Sequence, residues 1–209
     1  MAYHITIYSK GETLPPMTCN NFFHSAELFH IVENTPAEAP YMAVATNEDG
    51  HVCAHMLAIT RRKGSLLPPY LYMQGRVYGE GEYDDGVDRE LIFGQLLHAI
   101  TRKLRRRLCL YIEFSDLSRK MFGYKLFRHE GYFPINWQEV HNSLHTMSPE
   151  KRISERMKKR IEHVYRLGVE TRPAANIEEV KGFYKLLRAF YKMKIRRLIP
   201  PEEQVKQLY

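Results

Sequence analysis

The sequence predicts an α+β (mixed α/β) fold, with a mixed sheet flanked by helices. Three strand-like runs follow one another between Tyr41 and Met73, and apolar residues recur at helical spacing at Phe93, Leu96, Leu97, Ile100 and Leu104. A second helical stripe, Ile153, Met157, Ile161 and Val164, sits in the most basic stretch of the chain.

Taken in order, His4–Tyr8 alternates as a first strand and Gly11–Pro16 reads as a loop. Asn20 or Asn21 caps a helix running through Val32, with Phe22, Leu28, Phe29 and Val32 on its apolar side. Tyr41–Thr46 and Val52–Thr60 are strands joined at Asn47-Glu48-Asp49-Gly50, whose Asp-Gly ending suits a tight hairpin. Tyr70–Met73 is the third strand of this series. A helix over Val87–Arg107 follows, with cations in its last turn that complement the helix C-terminus. Leu108–Phe114 is almost continuously apolar and reads as a central buried strand. Ser118–Glu130 is a helix stopped by Gly131, and Pro134–Leu144 is strand-like again.

Ser148 then caps a helix over Pro149–Leu167, which Gly168 stops. One face carries the apolar stripe and is expected to pack. The neighbouring face carries Arg152, Arg156, Lys159, His163 and Arg166, widened by Lys158 and Arg160, with Tyr165 beside it. Arg and Lys at this density suit phosphate oxygens, although a solvated helix face carries the same pattern. Val169–Thr171 is expected to start a second sheet, and Asn176 to cap a helix from Ile177 to Arg197.

A chain of 209 residues with 44% hydrophobic and 12% aromatic residues supports a packed core rather than disorder. The formal net charge of +7 favours anionic partners such as phosphorylated ligands, RNA or anionic membrane surfaces. Cys19, Cys53 and Cys109 form no C-x-x-C pair and read as reduced thiols. The N-terminus lacks an apolar signal core and no stretch reaches the length of a membrane span, so a cytoplasmic location is expected.

Among groups that carry chemistry, Glu113 lies near the end of the apolar strand and Asp116 just beyond it. Partial burial is expected to raise the pKa of Glu113 and make it a proton acceptor or an anchor for an amine. Asp116 also suits ordinary helix entry. His141 and His145 lack a third ligand, and no metal site is expected.

The basic helix ending in Gly168-Val169, followed by Glu170-Thr171-Arg172 and a helix from Ile177 with an acidic start, resembles the centre of the Fem-type peptidoglycan bridge-forming aminoacyltransferases. These are tandem-domain members of the GNAT-fold acyltransferase superfamily. The resemblance runs from about Asn21 to Arg197 and implies a GNAT-like mixed, V-shaped sheet over 1–147, a basic connecting helix over 148–168, and over 169–209 a partial second GNAT-like unit, truncated by comparison with the family. It also implies transfer from aminoacyl-tRNA to an amine on a phosphate-bearing cell-wall precursor, without cofactor or metal. Glu113 and Asp116 would line the substrate channel. Arg156, Lys159, Arg160 and Tyr165 would hold precursor phosphates.

Arg76-Val77-Tyr78-Gly79-Glu80-Gly81 is similar to the R-x-x-G-x-G pyrophosphate loop of GNAT enzymes, which implies an acyl-CoA-dependent N-acetyltransferase holding its cofactor through Arg76, Gly79 and Gly81. Against this stand Glu80, Glu82, Asp84 and Asp85, which put negative charge where phosphate would sit. A third reading is a noncatalytic binding or assembly module. In each case the large apolar residues of the last helix are expected to pack on the first domain or on a second copy, giving a possible homodimer through the C-terminal segment.

Overall fold

The computed structural model describes residues 3–64, 67, 68, 70–107, 109–115, 123–135, 147–192 and 199–209. The chain divides into two compact units, Met1–Phe133 with Val180–Tyr209, and Pro134–Glu179. All but the first three residues of the last long helix (Ile177–Lys192) thus belong with the N-terminal unit, a different division from the one the sequence suggests.

The first unit is an α+β sheet with a helix on each face. β1 (His4–Ser9), β2 (Glu38–Thr46), β3 (Val52–Gly64) and β4 (Leu71–Tyr78) pair antiparallel in that order, and β6 (Cys109–Ser115) joins β4 in parallel. The short β5 (Glu82–Tyr83) pairs with β3 beyond the end of β4. Period-two alternation sends Met42, Val44 and Leu57 to one face, where Leu28, Phe29 and Val32 of α1 (Ala26–Glu33) cover them. Ala43, Ala45, Ala54 and Ala58 face the other way, and these small side chains leave room for Phe93, Leu96, Leu97 and Ile100 of α2 (Arg89–Arg106). Gly75 serves the same packing, since a Cβ there would lie 2.7 Å from Leu104 Cδ1.

Local chemistry refines several expected boundaries. The first helix is split: Asn21 Oδ1 accepts from Phe23 N to open a 3-10 turn over Phe22–His24, and Ser25 Oγ then accepts from Leu28 N to cap α1. Asp88 caps α2 in the same way. The third strand extends to Tyr78, well past Met73. β6 is not the buried central strand that its composition suggests; among the described residues it ends the sheet order, with Leu110 and Tyr111 exposed. α3 (Tyr124–His129) covers only the end of the helix expected over Ser118–Glu130, because residues 116–122 lie outside the described ones. So do residues 136–146, which include Trp137, His141 and His145.

In the second unit the expected basic helix is broken in two, α4 (Pro149–Arg152) and α5 (Glu155–Arg166). Ser154 causes the break: in extended backbone, its hydroxyl accepts from Met157 N and starts a new helix. Gly168, at φ 72°, ends α5 as expected. α5 has no buried residue, so its apolar stripe is not the packing face expected. Residues 169–175 form no strand. Asn176 Oδ1 accepts from Glu179 N and opens α6 (Ile177–Lys192), while Arg172 grips Glu179 with two hydrogen bonds of 2.8 Å that hold the carboxyl down to about 2. α7 (Glu202–Gln207), unforeseen in the sequence, lies against α1 in the first unit.

Candidate functional site

The first unit carries a polar set of side chains on β4 and β6. Their parallel register places Gln74 beside Tyr111, Arg76 beside Glu113 and Tyr78 beside Ser115. Val77, Ile112 and Phe114 are committed to the core under α2, so alternation turns these six side chains to the opposite face. The α1 cluster ends at β2 and β3, which leaves this part of the face partly open. The ends of parallel strands are a common position for ligand sites in sheets that contain them.

Glu113 is the centre of the set. Its Oε2 accepts from Arg76 at 2.8 Å and from Gln74 Nε2 at 3.4 Å, and its Oε1 accepts from Ser115 Oγ at 2.7 Å. Burial alone would raise the Glu113 pKa, but the hydrogen bonds from Arg76 and Ser115 outweigh it and hold the carboxyl below its ordinary range. The sequence expectation of a raised pKa is therefore overturned. Glu113 is a fixed negative charge and a weak base. Arg76 also donates to Tyr78 OH at 3.0 Å and stacks on that ring at 5.4 Å, and Phe23 packs on Tyr78 from the α1 side.

Lys63, on β3, shares this face. Burial lowers its pKa and the charges of Arg61 and Arg76 lower it further, with Glu113 opposing. Lys63, Gln74, Tyr78 and Ser115 were missed in the sequence. The signal for Gln74, Tyr78 and Ser115 is the alternation Gln-x-Arg-x-Tyr against Tyr-x-Glu-x-Ser, which only the register makes visible, and Lys63 joins them through the pairing of β3 with β4.

The glycine loop after β4 sits where a strand turns toward α2, as its motif requires, but its geometry is closed. Gly79 (φ 85°) and Gly81 (φ 96°) occupy left-handed backbone that favours glycine. Gly79 N donates to Ser115 O at 2.8 Å, and Gly81 N points at Nε2 of buried His24 at 3.1 Å. His24 Nδ1 also faces Leu57 N at 3.2 Å; a neutral imidazole has one acceptor nitrogen, so it serves one of these amides at a time. Arg76 is turned to Glu113 rather than to the loop. Glu82, Asp84 and Asp85 line a polar cleft of 230 Å³ next to the loop. The helix that would face a phosphate starts only at Arg89. The Gly79 amide and both Nη atoms of Arg76 are thus engaged within the protein, while Gly81 N shares His24 with Leu57 N and the buried Arg76 Nε has no hydrogen-bond partner among the described residues.

The remaining expected site residues are dispersed. Asp116 lies outside the described residues. Arg156, Lys159, Arg160 and Tyr165 share α5 in the second unit, all exposed. Among the described residues no group of three or more His, Cys, Asp or Glu is placed to hold a metal ion, and no helix is long and apolar enough to cross a membrane.

No family model and no curated protein matches this chain. Solved structures that are similar to it include a Trypanosoma brucei acetyltransferase, at 8% identity and a TM-score of 0.43 over 68% of this chain and 100% of that one. Another is glucosamine-6-phosphate N-acetyltransferase from Arabidopsis thaliana, at 10% identity and a TM-score of 0.37 over 49% of this chain and 66% of that one. A transcriptional regulator from Bacillus halodurans C-125 is also similar, at 10% identity and a TM-score of 0.41 over 67% of this chain and 99% of that one.

Proposed function

We propose that this chain takes part in acyl transfer to an amine, with the β4–β6 face as its acceptor site, and that it acts on a phosphate-bearing peptidoglycan precursor as a Fem-like aminoacyltransferase. The observation that carries the reading is the convergence of Glu113, Arg76 and Lys63 on one open sheet face beside the ends of two parallel strands. The sequence resemblance supplies the substrate class.

In this reading the acceptor amine attacks the ester carbonyl of the donor. A C–N bond forms, the ester C–O bond breaks, and the proton lost by nitrogen ends on the departing oxygen. Glu113, fixed as an anion, orients the neutral acceptor amine by accepting a hydrogen bond from its N–H. Lys63, with its lowered pKa, is the group on this face suited to relay the proton. Arg76 and Tyr78 offer donors to the oxyanion that develops on the carbonyl. Arg156, Lys159 and Arg160 of α5, with Tyr165, contribute phosphate binding.

An acyl-CoA-dependent N-acetyltransferase is the second reading, favoured by the position of the Arg76–Gly81 loop between β4 and α2. The engaged Gly79 amide and the acidic residues after Gly81 weigh against it. One experiment separates the two. The protein is incubated with a nucleotide-linked peptidoglycan precursor and either aminoacyl-tRNA or acetyl-CoA, and transfer is followed by mass spectrometry. Transfer from aminoacyl-tRNA that falls at least about tenfold in Lys63→Met and in Glu113→Gln supports the first reading. Acetyl transfer alone replaces it with the second. No transfer from either donor, with the precursor still bound, leaves a binding module.

A further inference from the structure

Helix α5 carries its apolar stripe uncovered. Met157, Ile161 and Val164 recur at helical spacing with exposures of 46%, 38% and 43%, and Tyr165, beside them, is 71% exposed. A stripe of this kind on a 12-residue helix with no buried residue is surface that water disfavours. Its borders are cationic. Lys158 edges one side and Arg160, with Arg156 beyond it, the other; Arg156 and Arg160 make no ion pair among the described residues. Glu155 and Glu162, the two acids of the helix, lie further from the stripe, within reach of Lys158 at 2.6 Å and Arg166 at 4.0 Å.

An apolar strip edged on both sides by long cationic side chains complements one kind of surface closely. In the interface of an anionic bilayer the strip enters the boundary of the acyl chains, while Lys and Arg stems lie along apolar surface and extend their charges to lipid phosphates. A protein groove would need acids placed along both rims to match it; an anionic bilayer offers negative charge on every side. We infer that α5 docks this protein on an anionic membrane surface, with Met157, Ile161 and Val164 as the inserting edge and Lys158, on one border, with Arg160 and Arg156, on the other, as the phosphate contacts. The inference rests on exposure and charge, and stands independently of acyl transfer.

The test is co-sedimentation of the full chain with vesicles of phosphatidylcholine alone or mixed with phosphatidylglycerol. Binding is expected on the mixed vesicles only, and is expected to weaken with added salt. The variant Arg156→Glu/Lys158→Glu/Arg160→Glu should weaken it on the order of a hundredfold, from the loss of a few cations at the surface. Ile161→Asp/Val164→Asp should also weaken binding while leaving the circular dichroism of the fold intact, and tryptic protection of the helix by mixed vesicles should disappear in both variants. Absence of binding, equal binding to both vesicle types, or indifference to both variants would overturn the inference. So would a dimer in light scattering that Ile161→Asp dissociates, since the stripe would then seat a second copy. Transfer assays with a soluble nucleotide-linked acceptor need no vesicles, so failure of the acyl-transfer reading shows separately.

Discussion

Arg76 on β4 and Glu113 on β6 face each other across parallel neighbouring strands, and the guanidinium reaches the carboxylate at 2.8 Å. The pair decides the chemistry of this face. Burial by itself would make Glu113 a better base, but the paired cation and the Ser115 hydroxyl keep it ionised. Arg76 is in turn withdrawn from the glycine loop that follows its own strand.

Breaking this pair should have a modest effect on stability and a clear effect on its pH dependence. Both side chains are partly exposed, so Arg76→Ala is expected to cost about 1 kcal/mol. Because the folded pKa of Glu113 lies below its ordinary value of 4.5, its stabilising contribution is complete above that value and lost as pH falls through it toward the folded pKa. Urea denaturation at pH 6 and pH 3.5 should show less acid destabilisation in Glu113→Gln than in the wild type. Equal slopes would mean that the pair contributes nothing to folding.

His55 should set a second acid transition, nearer neutrality. The ring is buried, its Nε2 has no hydrogen-bond partner among the described residues, and burial lowers its pKa against the pull of Asp84. The unfolded chain therefore binds a proton that the folded protein resists. Stability is full above about 6.5 and declines as pH falls from there toward the lowered folded value. Thermal melts between pH 7.5 and 5.5 should show this decline, and His55→Gln should flatten it.

Glycine positions give a graded test of the loop and the core. A Cβ at Gly81 would lie 2.6 Å from the His55 carbonyl oxygen, a backbone atom, at φ 96°, so Gly81→Ala should cost about 2 kcal/mol or more. Gly50, at φ 79° with nothing within 4 Å, should cost about 1 kcal/mol for the same change. Equal losses in denaturant melts would argue that the approach to His55 is relaxed in solution.

The parts of the fold that were legible in the sequence are those whose signal is local. The spacing of Phe93, Leu96, Leu97, Ile100 and Leu104 announces α2, and Asn47 to Gly50 announces a hairpin, because helix periodicity and turn chemistry are written within a few residues. The candidate site was less legible because pairing made it. The expected strand stops at Met73 and Arg76 reads as the start of a glycine loop until Tyr111, Ile112 and Glu113 are placed beside Gln74, Gly75 and Arg76. The run Leu108–Phe114 looked buried on both faces because Tyr and Phe count as apolar, yet Tyr111 and Glu113 belong to the open face. Ser154 was hidden inside a regular apolar repeat that continues across it, and its hydroxyl cap divides the helix all the same.

That division changes what Ile161→Asp should do. On a packed stripe the substitution would strip stability from the fold, but Ile161 lies on a helix without buried residues. The change is therefore expected to shift stability by no more than about 0.5 kcal/mol. A larger loss in the thermal melt would show that the stripe packs within the chain in solution.

The C-terminal segment is expected to be part of the first unit's stability rather than an appendage. Val180 and Tyr184 are buried in that unit, and Tyr184 OH donates to Pro200 O at 2.9 Å, which ties α6 to the chain leading into α7. Gln204, on α7, approaches Glu38 of β2 at 3.5 Å. Tyr184→Ala removes a large buried ring together with its hydrogen bond and is expected to cost about 3 kcal/mol. Tyr184→Phe keeps the ring and should cost about 1 kcal/mol. Deleting residues 176–209 should lower the midpoint of denaturation by more than either change. The adjoining side of α6 leaves Phe183, Leu186 and Phe190 exposed, and self-association through the C-terminal segment is expected there. Phe183→Asp/Phe190→Asp should then shift the light-scattering mass from dimer to monomer without lowering the melting temperature. A wild-type chain that is already monomeric, with a deletion variant as stable as the whole, would show that neither side of α6 has the role assigned to it.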